Sequence, residues 1–248
     1  MTTQLDSGLW LRRYHPAEPG AVRLVCLPHA GGSASFFFPV SKALAPKLDV
    51  ISVQYPGRQD RRADPCIDSI AELADRVYEE LVPQTEQPFA FFGHSMGATL
   101  AFEVALRLEQ RLGRVPVALF ASGRRAPSAH REEFVHLRDD DGLVAELKQL
   151  SGTDSKVLGD EEVLRMVLPA IRGDYKAAET YRYQPGPKLS CPVTVLVGDA
   201  DPKVDLAEAR AWQEHTTGDF ELKVYPGGHF YLASRQAEVL GVISAQLG

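Results

Sequence analysis

The sequence predicts a single α/β domain with a mostly parallel central sheet and helices on both of its faces. Its 248 residues suit one such domain. Short apolar runs, each long enough for one buried strand, alternate with segments whose apolar residues recur at helical spacing. The strand-like runs lie at residues 22–27, 48–55, 88–92, 115–121, 192–197 and 220–225. Functional residues are expected just after these runs, because the active sites of parallel sheets lie at the carboxyl ends of the strands.

Predicted helices follow most of these runs in order. Apolar residues between positions 67 and 81 recur at helical spacing, and Asp64 followed by Pro65 favours a helix start just ahead of them. Further helices are predicted at about 95–112, 205–215 and 236–246. A glycine-rich loop, instead of a helix, directly follows the run at 22–27.

Residues from about 126 to 187 interrupt the alternation of strands and helices. This stretch contains helical pieces at 141–150, 161–172 and 174–183, with the segment GTDSKVLGDEE between the first two and no clear strand. We interpret it as a helical insertion over the sheet edge, acting as a lid that shapes a substrate pocket. Ordinary crossover helices are the alternative interpretation.

Composition excludes several classes of protein. A formal net charge of −6 argues against a general nucleic-acid binder, and no segment approaches the 18 continuous apolar residues of a membrane span. The start, MTTQLDSGLWLRR, lacks the apolar core of a signal peptide, and the three cysteines form no CxxC pair. We therefore expect a cytoplasmic protein with reduced thiols, and, without a coiled-coil pattern, a monomer.

Two arginine clusters are candidates for contact with an acidic partner. Their members are Arg58, Arg61 and Arg62 in the segment GRQDRR, and Arg124, Arg125 and Arg131 further along the chain. Such a partner would need a local basic patch, because the negative net charge cannot steer it. The alternative is that both clusters are solvated loop residues, as most surface charges are.

The segment from Gly93 to Gly97 reads GHSMG and fits the pattern G-x-S-x-G between a strand and a helix. A sharp turn at this point leaves no room for side chains two positions either side of Ser95. The strained turn would push the Ser95 hydroxyl out above the sheet, next to the N-terminus of a new helix. Ser95 is therefore the predicted nucleophile.

A serine hydroxyl needs a base, and the base needs an orienting acid. His229 follows the last strand-like run and two glycines, so it is the predicted base. Asp201 lies in the loop after the run at 192–197 and is the predicted acid, with Asp199 and Asp205 as alternatives. The order Ser95, Asp201, His229 along the chain is that of an α/β-hydrolase. His15, His130, His136 and His215 lie in polar contexts and are predicted to be surface residues.

Acyl transfer also needs donors for a tetrahedral oxyanion. We predict the backbone N–H groups of Met96, next after the nucleophile, and Ala30, in the loop PHAGG after an early strand. His29, His94 and Phe230 are predicted as structural or pocket-wall residues near the site. The aromatic residues at 36–38 line the pocket or form the buried face of a helix, and the sequence leaves both open.

Five segments together resemble the signature motifs of type II thioesterases, the stand-alone editing enzymes associated with polyketide synthases and nonribosomal peptide synthetases. These segments are LPHAGGSA, QYPGRQDR, FFGHSMGA, GDADP and GGHFYL. The resemblance runs from Leu27 to Leu232 in the family's order, and PHAGG and GHSMG are its specific motifs. It implies an α/β-hydrolase fold with a helical lid, with Ser95, Asp201 and His229 as the triad.

The resemblance also implies the substrate: acyl groups on the phosphopantetheine arm of acyl or peptidyl carrier proteins. A serine mechanism of this kind needs no metal or cofactor, and no residue spacing suggests a metal site. Composition and spacing alone do not indicate a carrier protein. Two enzymatic alternatives stay open, a carboxylesterase or lipase on free esters and a medium-chain fatty-acyl thioesterase. A module of this fold that binds a ligand without turnover is a third.

Overall fold

The computed structural model describes residues 8–150 and 161–248. Residues 1–7 of the start MTTQLDSGLWLRR and residues 151–160, most of the segment GTDSKVLGDEE, lie outside the described part. The expectations drawn from those two segments are therefore not addressed by the structure.

A seven-stranded sheet forms the centre of the fold, with the strand order β1-β3-β2-β4-β5-β6-β7. Strand β1 runs antiparallel to β3, and the other neighbouring pairs in this sheet are parallel. The strands are β1 (Leu11–Arg12), β2 (Val22–Leu27), β3 (Leu48–Val53), β4 (Phe89–His94), β5 (Leu119–Ser122), β6 (Val193–Gly198) and β7 (Phe220–Tyr225). This mostly parallel sheet confirms the predicted α/β architecture.

Helices cover both faces of the sheet. In the described part of the chain they are α1 (Phe38–Leu44), α2 (Ile70–Leu81), α3 (Met96–Leu112), α4 (Asp140–Leu150), α5 (Glu161–Thr180), α6 (Leu206–Arg210), α7 (Tyr231–Ser234) and α8 (Gln236–Leu247). Short 3-10 turns add Ala34–Phe37, Gln59–Arg61, Val82–Gln84, Val135–Leu137 and Ala211–His215.

Alternate residues of each buried strand face opposite helical layers. In β2, Val25 and Leu27 join the apolar core formed with α2 and α3. Leu24 and Cys26 point the other way, into a second core formed with α1 and α8. Both layers hold the strand ends in place, so the loops at the carboxyl edge start from a rigid base.

The start of α2 lies later than predicted. The helix begins at Ile70, and the Ser69 side chain accepts a hydrogen bond from the backbone N–H of Glu72 at 3.5 Å. A serine three residues before a glutamate is the stronger start signal here. Asp64, the predicted start, instead forms an ion pair with Arg61 at 2.8 Å.

Strand β5 is shorter than its apolar run. Val115 and Val117 are exposed, and the strand begins only at Leu119. Pro116 lies between them and cannot donate a backbone hydrogen bond to a neighbouring strand.

The two helical pieces predicted on either side of Gly173 form one helix, α5. A glycine costs a helix about 1 kcal/mol relative to alanine, and apolar packing readily exceeds this. Ile171 and Tyr175, on either side of Gly173, are buried against α4 residues such as Leu143 and Leu147. Packing therefore carries the helix through the glycine.

The helices α4 and α5 belong to the predicted insertion at about 126–187, and they share a small apolar core of their own with the turn Val135–Leu137. Ala30, in the loop after β2, packs against this core. The insertion therefore meets the sheet at the edge where the predicted site residues lie. Among the described residues, we find no helix with the length and hydropathy needed to cross a bilayer.

Candidate active site

Ser95 stands in a strained turn between β4 and α3. Its backbone angles are φ +55° and ψ −122°, a conformation that costs a non-glycine residue about 1–3 kcal/mol. A Cβ at Gly93 would lie 2.2 Å from the carbonyl oxygen of Gly97, and one at Gly97 would lie 2.1 Å from that of Leu27. Both glycines are therefore required by backbone contact, as the spacing of the motif predicts.

His229 and Asp201 form a buried pair. The His229 Nδ1 atom lies 2.9 Å and 3.0 Å from the two carboxylate oxygens of Asp201. The Asp201 side chain has no exposed surface, and its Oδ1 also accepts a hydrogen bond from the Lys203 backbone N–H at 2.8 Å. This contact through Nδ1 leaves the Nε2 atom as the remaining nitrogen of the His229 ring.

Close backbone approach brings these two loops together. A Cβ at Gly198 would lie 2.3 Å from the Gly227 carbonyl oxygen, and the Ala200 N–H donates to that same oxygen at 2.9 Å. The alternative acids have other partners. Asp199 accepts a hydrogen bond from the Gly227 N–H at 2.9 Å, and Asp205 caps α6.

A cavity of about 620 Å³ opens above Ser95. Most of the predicted site residues line it, namely Ser95, His229, Ala30, Met96, His29 and Phe230. Asp201 lies behind His229, outside the lining. Met96 is the first residue of α3, so its backbone N–H belongs to the positively polarised end of that helix.

The insertion supplies much of the apolar wall of this cavity. From α4 and α5 the lining includes Leu147, Leu150, Met166, Val167, Ala170, Ile171 and Tyr175. A chamber with a nucleophile at one end and apolar side chains along it suits an acyl chain.

His94 lies beneath the cavity and is not among the residues that line it. It is fully buried, and its Nδ1 lies 3.0 Å from the Ser122 hydroxyl, which in turn lies 2.7 Å from the Tyr231 hydroxyl. Burial, assisted by the nearby His229 and His29, lowers the pKa of His94 well below its ordinary value. A neutral His94 serves as a packed support beneath the site.

His29 forms part of the cavity wall with Phe230, whose ring centroid lies 4.8 Å away. Burial and the neighbouring His229 lower the pKa of His29 to about 3, so it stays neutral at physiological pH. Phe36 also packs against the His29 ring, with the ring centroids 4.7 Å apart, and Phe37 is fully buried in the core. Phe38 is partly exposed and packs against Tyr14.

The arginines of GRQDRR do not form a patch. Arg58 is buried and forms an ion pair with Asp174 of α5, at 2.6 Å and 2.9 Å. Arg61 is buried with its guanidinium 4.3 Å from the centroid of the Trp10 ring. Only Arg62 of the three is exposed, so the prediction of a shared surface cluster is wrong. Sequence reasoning could not see these partners because they lie far along the chain.

The members of the second predicted cluster, Arg124, Arg125 and Arg131, also lie in different environments. Arg131 pairs with Glu208 at the surface, Arg125 is buried against Glu133, and Arg124 lines the cavity. Burial alone would raise the pKa of Glu133, but its ion pairs with Arg125 and Lys203 outweigh burial and lower that pKa to about 2. Glu133 and Lys203 also line the cavity, and no pattern in the sequence indicates a site role for either residue.

Of the histidines predicted at the surface, His215 is not there, and His136 and His15 are only partly exposed. His215 is buried, and its Nε2 lies 2.8 Å from the Ser128 hydroxyl. His136 contacts the carboxylate of Glu179, a residue of the cavity lining. Both sit in polar sequence segments, but tertiary packing covers them.

The fold and the site together define a protein of the α/β-hydrolase class. The sheet is mostly parallel, a strained serine stands between a strand and a helix, and a histidine–aspartate pair lies in the loops after the last two strands. Residues 22–247 match the family model described as "Thioesterase domain", and the chain belongs to that family. It is a thioesterase.

Relatives and solved structures agree with this assignment. The chain is 61% identical, over 94% of its length, to the "Probable cadicidin biosynthesis thioesterase" of Streptomyces griseus, and it spans 64% of that protein. It is 56% identical to "Thioesterase PikA5" of Streptomyces venezuelae, over 98% of this chain and 87% of that protein. The structure of "the type II thioesterase BorB from the borrelidin biosynthetic cluster" superposes with a TM-score of 0.93 at 56% identity, covering 98% of this chain and 99% of that one.

Proposed function

We propose that this thioesterase hydrolyses acyl groups from the phosphopantetheine arm of acyl or peptidyl carrier proteins, and so clears stalled or aberrant units during polyketide or nonribosomal peptide synthesis. The observation that carries the proposal is the placing of Ser95 and His229 on one acyl-sized cavity, with Asp201 bonded to His229. The biosynthetic role is supported by the names of the relatives, one assigned to cadicidin biosynthesis and one to the borrelidin cluster.

In the proposed mechanism, His229 takes the proton from the Ser95 hydroxyl as that oxygen attacks the thioester carbonyl carbon. Asp201 holds the His229 ring through Nδ1 and stabilises the imidazolium that forms. The tetrahedral intermediate collapses, the C–S bond breaks, and His229 returns the proton to the departing phosphopantetheine thiol. A water molecule, deprotonated by His229, then attacks the acyl-Ser95 ester; the ester bond breaks, His229 passes the proton to the Ser95 oxygen, and the acid is released.

The developing oxyanion would be held by the backbone N–H groups of Ala30 and Met96. Each donor of this kind is worth about 3 kcal/mol of transition-state stabilisation. The N-terminal end of α3 adds its partial positive charge at the same place. The strain at Ser95 holds the nucleophile at this helix end before substrate binds, which reduces the reorganisation needed in the reaction.

Carrier-protein specificity is tested by comparing kcat/KM for one short acyl group on three supports: a carrier protein, a pantetheine mimic and an aryl ester. We expect the carrier-bound thioester to be preferred and Ser95→Ala to abolish turnover on all three. A preference for the aryl ester would replace the proposal with a carboxylesterase. Repeating the pantetheine-mimic assay with longer acyl groups separates a fatty-acyl thioesterase, which would prefer the longer chains. Turnover by Ser95→Ala would overturn the nucleophile assignment.

A further inference from the structure

Arg124 places a guanidinium group in the wall of the catalytic cavity. It follows β5 by two residues, and its side chain lies between α3 and α5. Its Nε donates a hydrogen bond to the Thr99 hydroxyl at 2.9 Å, and its Nη2 donates to the Ala178 carbonyl oxygen at 3.3 Å. Arg124 and Ala178 also line a second cavity of about 360 Å³, so they form the partition between the two spaces.

The hydrogen-bond partners of Arg124 within the described part of the chain are neutral, unlike those of Lys203 and Arg58 in the same wall. Lys203 pairs with Glu133 at 2.9 Å, and Arg58 pairs with Asp174. Enclosure by protein, together with the adjacent Arg125, lowers the pKa of Arg124 to about 10, which still leaves it charged at neutral pH. The carboxylates of Glu133 and Glu179 act on Arg124 electrostatically but accept none of its hydrogen bonds, so the N–H groups not used by Thr99 and Ala178 can donate to an oxygen of a ligand.

The position of the Arg124 guanidinium relative to Ser95 determines which carbon atom of a bound acyl group would carry the oxygen that Arg124 binds. Thr99, which accepts from Arg124, is four residues after Ser95 and therefore about one helical turn, or about 5–6 Å, along α3. Thr99 itself lines only the second cavity, whereas Arg124 also lines the cavity of Ser95, so an acyl group on Ser95 that extends towards Arg124 would reach it within its first few carbon atoms. A simple alkyl chain offers the guanidinium nothing there.

We propose that Arg124 forms an oxygen-binding subsite that selects acyl groups carrying a hydroxyl or ketone oxygen at the third carbon over the corresponding plain alkyl groups. The inference rests on the proposed acyl-hydrolase function of the same cavity. It assigns to Arg124 the role of a specificity-determining residue, and it makes oxygenated, polyketide-like chains the preferred substrates.

The test measures kcat/KM for the 3-hydroxybutyryl (each enantiomer) and butyryl thioesters of a pantetheine mimic, and takes their ratio. These acyl groups share four carbons, and the ratio cancels general damage to the site. In the wild type we expect at least one enantiomer to exceed butyryl by about tenfold or more, as for a hydrogen bond to a charged group. Arg124→Met, which keeps a long side chain and removes every donor, should bring the ratio close to one.

Two further variants make the test specific. Arg182→Met is the matched control, because Arg182 is exposed and lines only the second cavity; its ratio should equal that of the wild type. Arg124→Lys restores a charge and should recover part of the preference. Equal ratios in wild type and Arg124→Met would overturn the proposal. A wild-type ratio near one would also overturn it, and that measurement does not depend on whether Arg124→Met folds. Failure to hydrolyse these acyl groups both on the mimic and on a carrier protein would instead overturn the proposed function, and this subsite with it.

Discussion

The carboxylate of Asp174, in α5, accepts a hydrogen bond from the backbone N–H of Gly31 at 2.7 Å. The same carboxylate pairs with Arg58, whose guanidinium also donates to the Gly32 carbonyl oxygen at 3.0 Å. Gly31 is the residue after Ala30, the proposed oxyanion donor. The insertion is thus fastened to the loop that would bind the oxyanion, through a carboxylate with 1% of its side chain exposed.

Asp174→Asn should destabilise the protein and slow the reaction together. The change keeps the side-chain shape but leaves the buried Arg58 without its countercharge, which typically costs about 3–5 kcal/mol of unfolding free energy. We expect kcat/KM to fall at least about tenfold, because the loop bearing Ala30 loses its anchor. Urea unfolding and thioester hydrolysis measure the two effects.

Asp68→Asn is the matched control for that experiment. Asp68 pairs with Lys176, which lies in α5 as Asp174 does. About half of each of these two side chains is exposed, so losing this ion pair should lower the free energy of unfolding by less than about 1 kcal/mol. Similar losses in the two variants would show that the Asp174 contact has no special role.

Ser95 can be replaced in two ways that differ in stability but not in activity. Ser95→Ala and Ser95→Gly should both lose at least about a thousandfold in kcat, because neither has a nucleophile. Glycine tolerates φ +55° without strain, so Ser95→Gly should be more stable than Ser95→Ala by about 1 kcal/mol. Chemical denaturation of the two variants decides this, and an alanine variant of greater stability would argue against a strained turn.

A direct comparison of two variants tests whether Asp201 or Asp199 is the acid that orients His229. Asp201→Asn should lower kcat by about a thousandfold or more, since an amide cannot stabilise the His229 imidazolium. Asp199→Asn should retain most of the wild-type rate, because Asp199 is exposed and its contact is with the Gly227 backbone. The reverse pattern in steady-state assays would transfer the acid role to Asp199.

Acid should destabilise the fold through His29 and His94. Their pKa values are lowered in the folded state, that of His29 to about 3, so below about pH 6.5 the unfolded chain binds protons that the folded chain does not. The free energy of unfolding therefore decreases as pH falls from about 6.5 towards 3, by up to about 1.4 kcal/mol per pH unit for each histidine.

Replacing His29 isolates its share of this pH dependence. His29→Gln cannot be protonated, so its unfolding free energy should fall less steeply between pH 6 and 4 than that of the wild type. His130→Gln is the control, because His130 is exposed. Parallel curves for His29→Gln and the wild type would rule out a buried neutral His29.

The parts of the site that depend on local spacing could be predicted from the sequence. Gly93 and Gly97 bracket Ser95 because backbone contacts exclude a Cβ at either position, and that requirement is visible in five consecutive letters. Asp201 and His229 each follow an apolar run, and parallel strands bring such loops to one edge. The pairing of these two residues could therefore be predicted without a structure.

Contacts that depend on packing between distant segments could not be predicted. Arg58 and Asp174 are 116 residues apart, and the pattern GRQDRR carries no mark that its first arginine is buried. The same applies to Arg61 on the Trp10 ring, and to the charged residues of the cavity wall, such as Glu133. Hydrophobic periodicity reports which face of an element is covered but not what a buried charge meets.

The wall of the cavity and the proposed reacting groups come from different parts of the chain. Ser95, Asp201 and His229 stand on loops of the sheet, whereas much of the apolar lining belongs to α4 and α5 of the insertion. Selectivity and chemistry can therefore diverge independently: an exchanged insertion would alter which acyl groups fit while the hydrolytic centre keeps its geometry. The insertion meets the rest of the fold through several side chains, Lys176 and Tyr181 among them, but only Asp174 of these reaches the Gly31 backbone, and a graft must preserve that contact.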